Sequence, residues 1–354
     1  MSVFKGTKLT AALFGESHGE GVGIAVDGLP AGETVDFEEL KAFAARRAPG
    51  RGDGVTKRKE ADETEVLSGM LEGRTTGAPL ALFIRNTDTR SADYAGLSRL
   101  PRPSHADYAA HIKYGGNNDI RGGGHFSARL TAPLCAAGGI ALQILARRGV
   151  SVCARLLSVG SVSDFAPFES PGDFAHIKAG GFPVLSRGAE DAFRAEIESA
   201  RTEADSVGGI VECVVFGLPA GLGGPLFGGI EGKLSHALYG IPAVKGVEFG
   251  GGFALAAMRG SDANDAFTVK EGEAVTATNR SGGIQGGITN GMPVVFRAAF
   301  NPTPSIGKKQ RTVDLQSGEE HDLVIKGRHD PCVALRAVPV VEAVSALAAL
   351  DLVL

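Results

Sequence analysis

The sequence predicts an α+β protein. Three observations predict it: apolar runs that alternate as strands do and stop at glycine turns, a few capped or apolar helical stretches, and a faint internal repeat. VGIAVDG (22–28) and GGIVECVVFG (208–217) are the clearest strands, each ending at a Gly-Leu-Pro turn. Asp36 followed by Glu39 has the spacing of a capping box and opens a helix that ends near Arg47, ahead of Pro49. Ser127 to Arg148 reads as a mostly apolar helix stopped by Gly149. Residues 189–203 read as a charged, exposed helix, and residues 338–350 as an apolar one with Pro339 near its start. VVFRAAF (294–300) is a further strand.

The repeat pairs distant segments. GESHGEGVGIAVDGLPAG (15–32) shares Ser17/Ser206, Gly19/Gly208, Val26/Val215 and then Gly-Leu-Pro-Ala-Gly with ADSVGGIVECVVFGLPAG (204–221). GMLEGRTTGAPL (69–80) and GIQGGITNGMPV (283–294) share a Gly-x-x-x-Gly-x-Thr-x-Gly-x-Pro frame. Both pairs run in the same order, and the period is far too long for a solenoid. The expectation is two similar halves, roughly 1–150 and 200–354, facing each other within a single domain of 354 residues. No Ser/Pro-rich linker or charge run divides them.

Composition excludes several classes. Hydrophobic residues are 43% and charged residues 21%, which fits a folded globular chain. Lys plus Arg number 36 against 40 Asp plus Glu, a balance too acidic for a general nucleic-acid binder. Glycine, at 51 residues without a Gly-X-Y period, is about twice average usage and points to binding loops rather than collagen. Cys135, Cys153, Cys213 and Cys332 lie far apart with no zinc spacing. MSVFKGTKLT has no signal-peptide core, and the uncharged runs 130–146 and 213–230 are broken by Pro, Gly or Gln. Neither run supplies the roughly 20 apolar residues of a membrane span, so the expectation is a soluble protein of a reducing compartment.

Chemistry concentrates in loops. His18 lies in Gly-Glu-Ser-His-Gly just before a strand, and His105 in Arg-Pro-Ser-His-Ala-Asp. An imidazole titrates near neutrality and suits proton transfer, although a surface histidine is the commoner reading of either loop alone. Arg121-Gly122-Gly123-Gly124-His125-Phe126-Ser127-Ala128-Arg129 is a glycine-rich turn at a helix start, a good anion site. It lacks both the Walker A ending and the Rossmann spacing. Arg47, Arg129, Arg328 and Arg336 sit at turn or helix boundaries and suit bidentate grip on carboxylate or phosphate. Lys57–Lys59 fits a solvated face better. Asn301-Pro302-Thr303-Pro304-Ser305 serves equally, from spacing alone, as a phosphate or ribityl cradle or as a plain turn.

Taken together, GESHGEGVGIAVDGLPAG, RPSHADY, IRGGGHFSAR, RTEADSVGGIVECVVFGLPAGLGGPLFG, SGGIQGGITNGMPV and GRHDPCVALRAVPVVEA resemble chorismate synthase in order and spacing, from about Thr10 to Leu350. The resemblance implies a lyase that closes the shikimate pathway, turning 5-enolpyruvylshikimate 3-phosphate into chorismate by 1,4-anti elimination. It implies reduced FMN (FMNH2) without net redox change, and a β-α-β sandwich of two antiparallel sheets around central helices with an internal pseudo-twofold repeat. It also implies a cytoplasmic homotetramer, an external flavin reductase or other source of reduced flavin, and a link to NADP. Neither nucleic acid nor a membrane is a partner.

Residue by residue, the resemblance implies that His18 protonates the departing phosphate, His105 the reduced flavin, and Asp330 relays the proton, with Ser17 and Ser127 in support. Arg47, Arg121, Arg129, Arg328 and Arg336 would hold the substrate. Arg47, His125, Phe126, Ser127, Ala243, Gly286, Asn301, Pro302, Thr303, Pro304, Ser305 and Arg328 would touch the flavin. The chain departs from the family at His125–Leu130, where many members read Arg-Ser-Ser-Ala-Arg-Glu, and at Pro242, Asn301 and near Asp53, where many carry Asn, Lys and Arg. Each change removes a polar or positive contact, for which His125 and Arg51 are candidate replacements. A flavin-binding protein without turnover and a non-enzymatic anion-binding module are the rival readings.

Overall fold

The computed structural model describes residues 2–48, 62–87, 99–325 and 330–354. Two five-stranded antiparallel sheets carry the fold. The first is built from β1 (Val3–Lys5), β2 (Thr10–Gly15), β3 (Gly21–Asp27), β4 (Glu65–Ser68) and β5 (Leu80–Arg85), in the order β1-β2-β3-β5-β4. The second is built from β6 (Ser151–Val159), β7 (Val162–Ser163), β8 (Gly209–Phe216), β9 (Val244–Phe249) and β10 (Val294–Phe300), in the order β9-β10-β8-β6-β7. The longer helices are α1 (Phe37–Arg47), α2 (Asp107–Tyr114), α3 (Thr131–Arg147), α4 (Arg187–Thr202), α5 (Ile230–Leu238) and α6 (Val333–Val353).

Apolar periodicity decides what packs where. On β3 and β5, Val22, Ile24, Val26, Leu80, Leu82 and Ile84 alternate onto one buried face, and α3 packs there. Helix α6 packs on β6 and β8, and α3 and α6 pack on each other. Close helix contact requires small residues: a Cβ on Gly138 of α3 would sit 2.4 Å from Ala343 of α6. The second sheet is buried on both faces, because Phe168, Phe174, Ile177 and Leu185 cover Cys153, Val214, Phe216 and Val295 on the other side.

The α1 start lies where the sequence places it, with Asp36 accepting from the N–H groups of Glu38 and Glu39. The capping box does not close, since the Asp36 N–H donates to Gln143 Oε1 (2.8 Å) rather than to Glu39. Two other helix ends differ. The α-helix read from Ser127 begins at Thr131, after a tight turn over Ala128–Leu130 capped by Ser127. The last helix begins at Val333 rather than 338, so Pro339 lies inside it. Pro339 lacks an N–H for the Leu335 carbonyl, and burial of nearly every following residue keeps the helix intact.

The membrane expectation also needs correction on length. Ala128–Arg147 and Val333–Val353 are long and apolar enough to cross a membrane by composition, but 89% and 83% of their apolar windows are buried inside the protein. They are the core helices.

The repeated segments make matching contacts. Gly32 N–H donates to Thr75 O (2.7 Å) and Gly221 N–H to Thr289 O (2.9 Å). Thr75 Oγ1 donates to Pro30 O (2.6 Å) and accepts from Glu33 N (3.0 Å). Thr289 Oγ1 donates to Pro219 O (2.7 Å) and accepts from Leu222 N (2.9 Å). Gly28 and Gly217 both adopt positive φ, and a Cβ on either would meet a carbonyl oxygen of the preceding strand's approach, Lys8 O at 2.1 Å or Gly149 O at 2.2 Å.

Candidate active site

The glycine turn 121–126 gathers the two loop histidines. Gly122, Gly123 and Gly124 all have positive φ, a run only glycine sustains cheaply. His18 lies against Gly122, where a Cβ would come within 2.2 Å of its ring. His105 lies against Gly123, with Cε1 and Nε2 each 3.4 Å from the position of a Cβ, and Ser127 touches the same glycine. Three predicted site residues therefore meet on two adjacent glycines. Leu130 and Ala132 pack on Val22 and Ile84 and fix this turn to the sheet.

His18 is buried, with Ser17 Oγ 3.3 Å from its Nδ1. Ser17 N–H donates to Gly124 O (3.1 Å), joining the histidine loop to the glycine turn. The His105 ring is held differently. Its Nδ1 lies 2.6 Å from Asp107 Oδ1, so the acceptor assigns the proton to Nδ1 and presents Nε2 to the Gly123 side. Arg102 grips Asp107 through Nε (2.7 Å) and Nη2 (2.8 Å). Burial opposes ionisation of Asp107, yet hydrogen bonds from Arg102 and His105 hold its carboxyl well below the usual carboxylate range. Arg102 Nη1 also donates to Ser305 Oγ (3.2 Å), which ties the 301–305 segment to the His105 loop.

A second cluster carries the arginines. Asp62, buried, accepts from Arg47 Nη1 (2.5 Å) on one oxygen and from Arg129 Nη1 on the other. Arg47 Nε donates to Thr131 Oγ1 (3.0 Å), and burial, opposed by Asp62, draws the Arg47 guanidinium below its usual value. Arg336 donates from Nε to Arg47 O (3.0 Å) and from Nη1 to Asp330 Oδ2 (2.6 Å). So Arg47, Arg129, Arg336 and Asp330 form one connected group. Arg121 is apart from it: exposed, it pairs with Asp119 through Nε and Nη2. Arg328 lies outside the described residues.

The predicted flavin contacts divide. Asn301 N–H donates to the carbonyl of Ala243, a non-glycine residue at φ 73°. Asn301 Oδ1 and Thr303 Oγ1 are buried and meet no hydrogen-bond partner among the described residues. His125 is committed elsewhere, Nδ1 to Gly15 O (2.8 Å) and Nε2 to Ser2 Oγ (2.5 Å), on the wall of a cavity of about 450 Å³ that Glu16 and Glu20 also line. Phe126 is partly exposed beside Tyr114. Gly286 sits in a separate hairpin, Ile284–Gln285 with Ile288–Thr289, and faces open space. Burial pushes the Cys135 thiol up to about 12 and Cys332 up to about 11, which removes both from nucleophilic chemistry at neutral pH.

Sequence reasoning missed Asp62, Arg102, Asp107 and Asn86, whose Oδ1 accepts from Arg129 Nε (3.1 Å). Asp107 follows His105 by two residues, a spacing that could have signalled an orienting carboxylate. Asp62 and Asn86 carried no local signal.

Two oriented imidazoles beside buried arginines define an enzyme that moves protons on an anionic ligand. Comparison with known proteins gives the particular case. The chorismate synthase family model matches residues 9–354. The chorismate synthase of Thermococcus kodakarensis is 51% identical over 338 residues, covering 96% of this chain and 94% of that one. The Aeropyrum pernix chorismate synthase is 49% identical over 350 residues, with 99% and 92% covered. A crystal structure of chorismate synthase superposes with a TM-score of 0.77 at 28% identity, covering 98% of this chain and 92% of that chain. The chain belongs to the chorismate synthase family, the chorismate-forming lyases of the shikimate pathway.

Proposed function

We propose that this chain eliminates phosphate from 5-enolpyruvylshikimate 3-phosphate by the 1,4-anti route, with reduced FMN bound and no net redox change. The observation that carries the reading is the convergence of His18 and His105 on Gly122 and Gly123. His18, in a buried loop beside the glycine turn, donates a proton to the departing phosphate, with Ser17 supporting its Nδ1. Asp107 keeps the His105 Nδ1 proton in place, so His105 exchanges protons at Nε2. Arg47, Arg129 and Arg336 set the cationic wall for a ligand that carries a phosphate and two carboxylates, with Arg121 and Arg328 also assigned to that ligand. Asp330, held by Arg336, accepts the relayed proton. Ser127 caps the turn that carries Arg129.

The buried, unsatisfied Asn301 Oδ1 and Thr303 Oγ1 fit a hydroxyl-rich cofactor such as the ribityl chain of FMN. Pro302, Pro304, Ser305 and Ala243 shape that cradle, and Arg47, His125, Phe126, Ser127, Gly286 and Arg328 complete the assignment. When bound, the reduced flavin supplies electron density to the leaving step and a site for the C6 proton.

The matched hydrogen bonds of Thr75 and Thr289 support an internal pseudo-twofold repeat. The packing of α3 and α6 between their sheets supports a β-α-β sandwich. On the same reading the chain is one domain over 1–354, a cytoplasmic homotetramer, and draws reduced flavin from an external reductase, with NADPH, the reduced form of NADP, as the source of electrons, or from another donor.

The test is anaerobic incubation with reduced FMN and 5-enolpyruvylshikimate 3-phosphate. Phosphate release is expected, and His18→Ala and His105→Ala each cut it by about 10²–10⁴-fold without unfolding the chain. FMN binding without turnover would support a flavin-binding protein instead, and binding of neither an anion module.

A further inference from the structure

The turn Glu16–Gly19 that carries His18 is closed by Gly19 N–H donating to Glu16 O (3.1 Å). Its two end carbonyls are also gripped from outside. Asn86 Nδ2 donates to Glu16 O (2.9 Å) and to Gly19 O (2.9 Å), and Asn86 N–H donates to Glu20 O (3.0 Å). Both hydrogens of one amide thus fall on the ends of one turn, which fixes the turn as a rigid unit. The remaining atom, Asn86 Oδ1, accepts from Arg129 Nε (3.1 Å). Arg129 in turn donates to Arg85 O (3.1 Å) and to Asp62, the carboxylate it shares with Arg47. Arg47 O then receives Arg336, the partner of Asp330. A continuous hydrogen-bonded chain therefore runs from the His18 turn through Asn86, Arg129, Asp62, Arg47 and Arg336 to Asp330.

We propose that Asn86 is the positioning residue for His18, clamping its turn and registering it against the arginine cluster. The amide is the side chain this task requires. It must donate twice to backbone carbonyls and accept once from a guanidinium, and only a carboxamide does both. A carboxylate at 86 keeps the acceptor for Arg129 but sets one oxygen against two carbonyls, and a small apolar residue loses all three bonds. Ser17 N–H on Gly124 O holds the same turn from the opposite side, so losing the clamp displaces the imidazole without unfolding the sheet.

The inference rests on His18 acting in the reaction, and the experiment separates the two. Wild type, Asn86→Ala, Asn86→Asp, His18→Ala and the Asn86→Ala/His18→Ala double variant are compared as full-length protein, with reduced FMN under anaerobic conditions. Displacing a reacting group by a fraction of an ångström to an ångström predicts a kcat loss of about 10- to 100-fold in both Asn86 variants. KM for 5-enolpyruvylshikimate 3-phosphate stays within about twofold of wild type in Asn86→Asp, which keeps the acceptor for Arg129. In the His18→Ala background the Asn86→Ala effect vanishes. Amide hydrogen exchange over residues 16–20 rises by about tenfold or more in Asn86→Ala. Wild-type kcat in Asn86→Asp would show that the side chain serves only Arg129, and a full further loss on top of His18→Ala would show that it acts elsewhere; either overturns the proposal, as does unchanged exchange. Wild-type turnover in His18→Ala instead removes His18 from the mechanism, an outcome the exchange measurement does not share.

Discussion

The two halves of the molecule agree in their turns and part company in their loops. The Gly-Leu-Pro-Ala-Gly turns and their threonines repeat bond for bond, as Thr75 and Thr289 show. The loops just ahead of β3 and β8 do not. In the first, Ser17 N–H reaches the glycine turn before α3 and the next residue is His18. In the second, His18 is replaced by Val207, whose N–H donates to Pro331 O (2.8 Å), in the segment before α6 that carries Asp330. Both loops brace the approach to a central helix. One loop carries the imidazole, and the other steadies the segment of the aspartate. The turns that hold the sheets are bonded alike in both regions, whereas the loops that carry His18 and Val207 make different contacts.

The sharpest way to break that comparison uses two buried carboxylates, each between two arginines. Asp62 lies between Arg47 and Arg129. Glu212 lies between Arg155 and Arg297, which face it across adjacent strands in register. Removing Asp62 takes the shared carboxylate from two buried guanidiniums, whereas without Glu212 the half-buried Arg297 keeps Glu248 (3.1 Å) and Arg155 keeps Asp164 at 3.9 Å. Asp62→Ala is therefore expected to cost about 3–5 kcal/mol in urea unfolding, and Glu212→Ala less. Turnover of the folded fraction separates them: Asp62→Ala loses it, and Glu212→Ala keeps it. Equal loss of turnover in both would mean that the second cluster is not merely a strand ladder.

How much of this the sequence carried follows the same division. Strands at 21–27 and 209–216 and the α1 cap at Asp36 were legible because each leaves a local pattern of period, cap or turn. His18 and His105 stood out by residue type. Asp62 and Asn86 did not, since their meaning lies in contacts with Arg47, Arg129 and Glu16, between 15 and 70 residues away. The starts of α3 and α6 were misread because tertiary burial, rather than a capping side chain, sets where they begin.

A gentler test sharpens the agreement between the halves. Thr75→Val and Thr289→Val each delete one hydroxyl that bonds the same two backbone positions, in half-buried to exposed turns. Each is expected to lower stability by about 0.5–1.5 kcal/mol, equally within error. Thermal melts of the two variants side by side measure it, and a clear inequality would show that one turn is held by something the other lacks.

The smallest expected effect concerns a segment by which the two regions differ in length. Residues 250–283 stand between β9 and the 284–289 hairpin, where the first half has Gly69 alone between β4 and its hairpin. Asp265 gathers that segment, accepting from Thr278 Oγ1 (2.6 Å), Arg280 N (2.7 Å) and Ser281 N (2.8 Å). Burial works against its ionised form, but these donors bring its carboxyl down to about 2 from 3.8. A carboxyl depressed in the folded state stabilises fully above its unfolded pKa and loses that contribution as pH falls toward the folded one. Asp265→Asn is therefore expected to melt below wild type near about pH 5 and to converge with it near about pH 2, a small difference because the group is largely solvated. Melting curves across that window decide it: a gap that persists at the acid end would mean that the loop is held by shape, as Gly69 is in the first half, and not by charge.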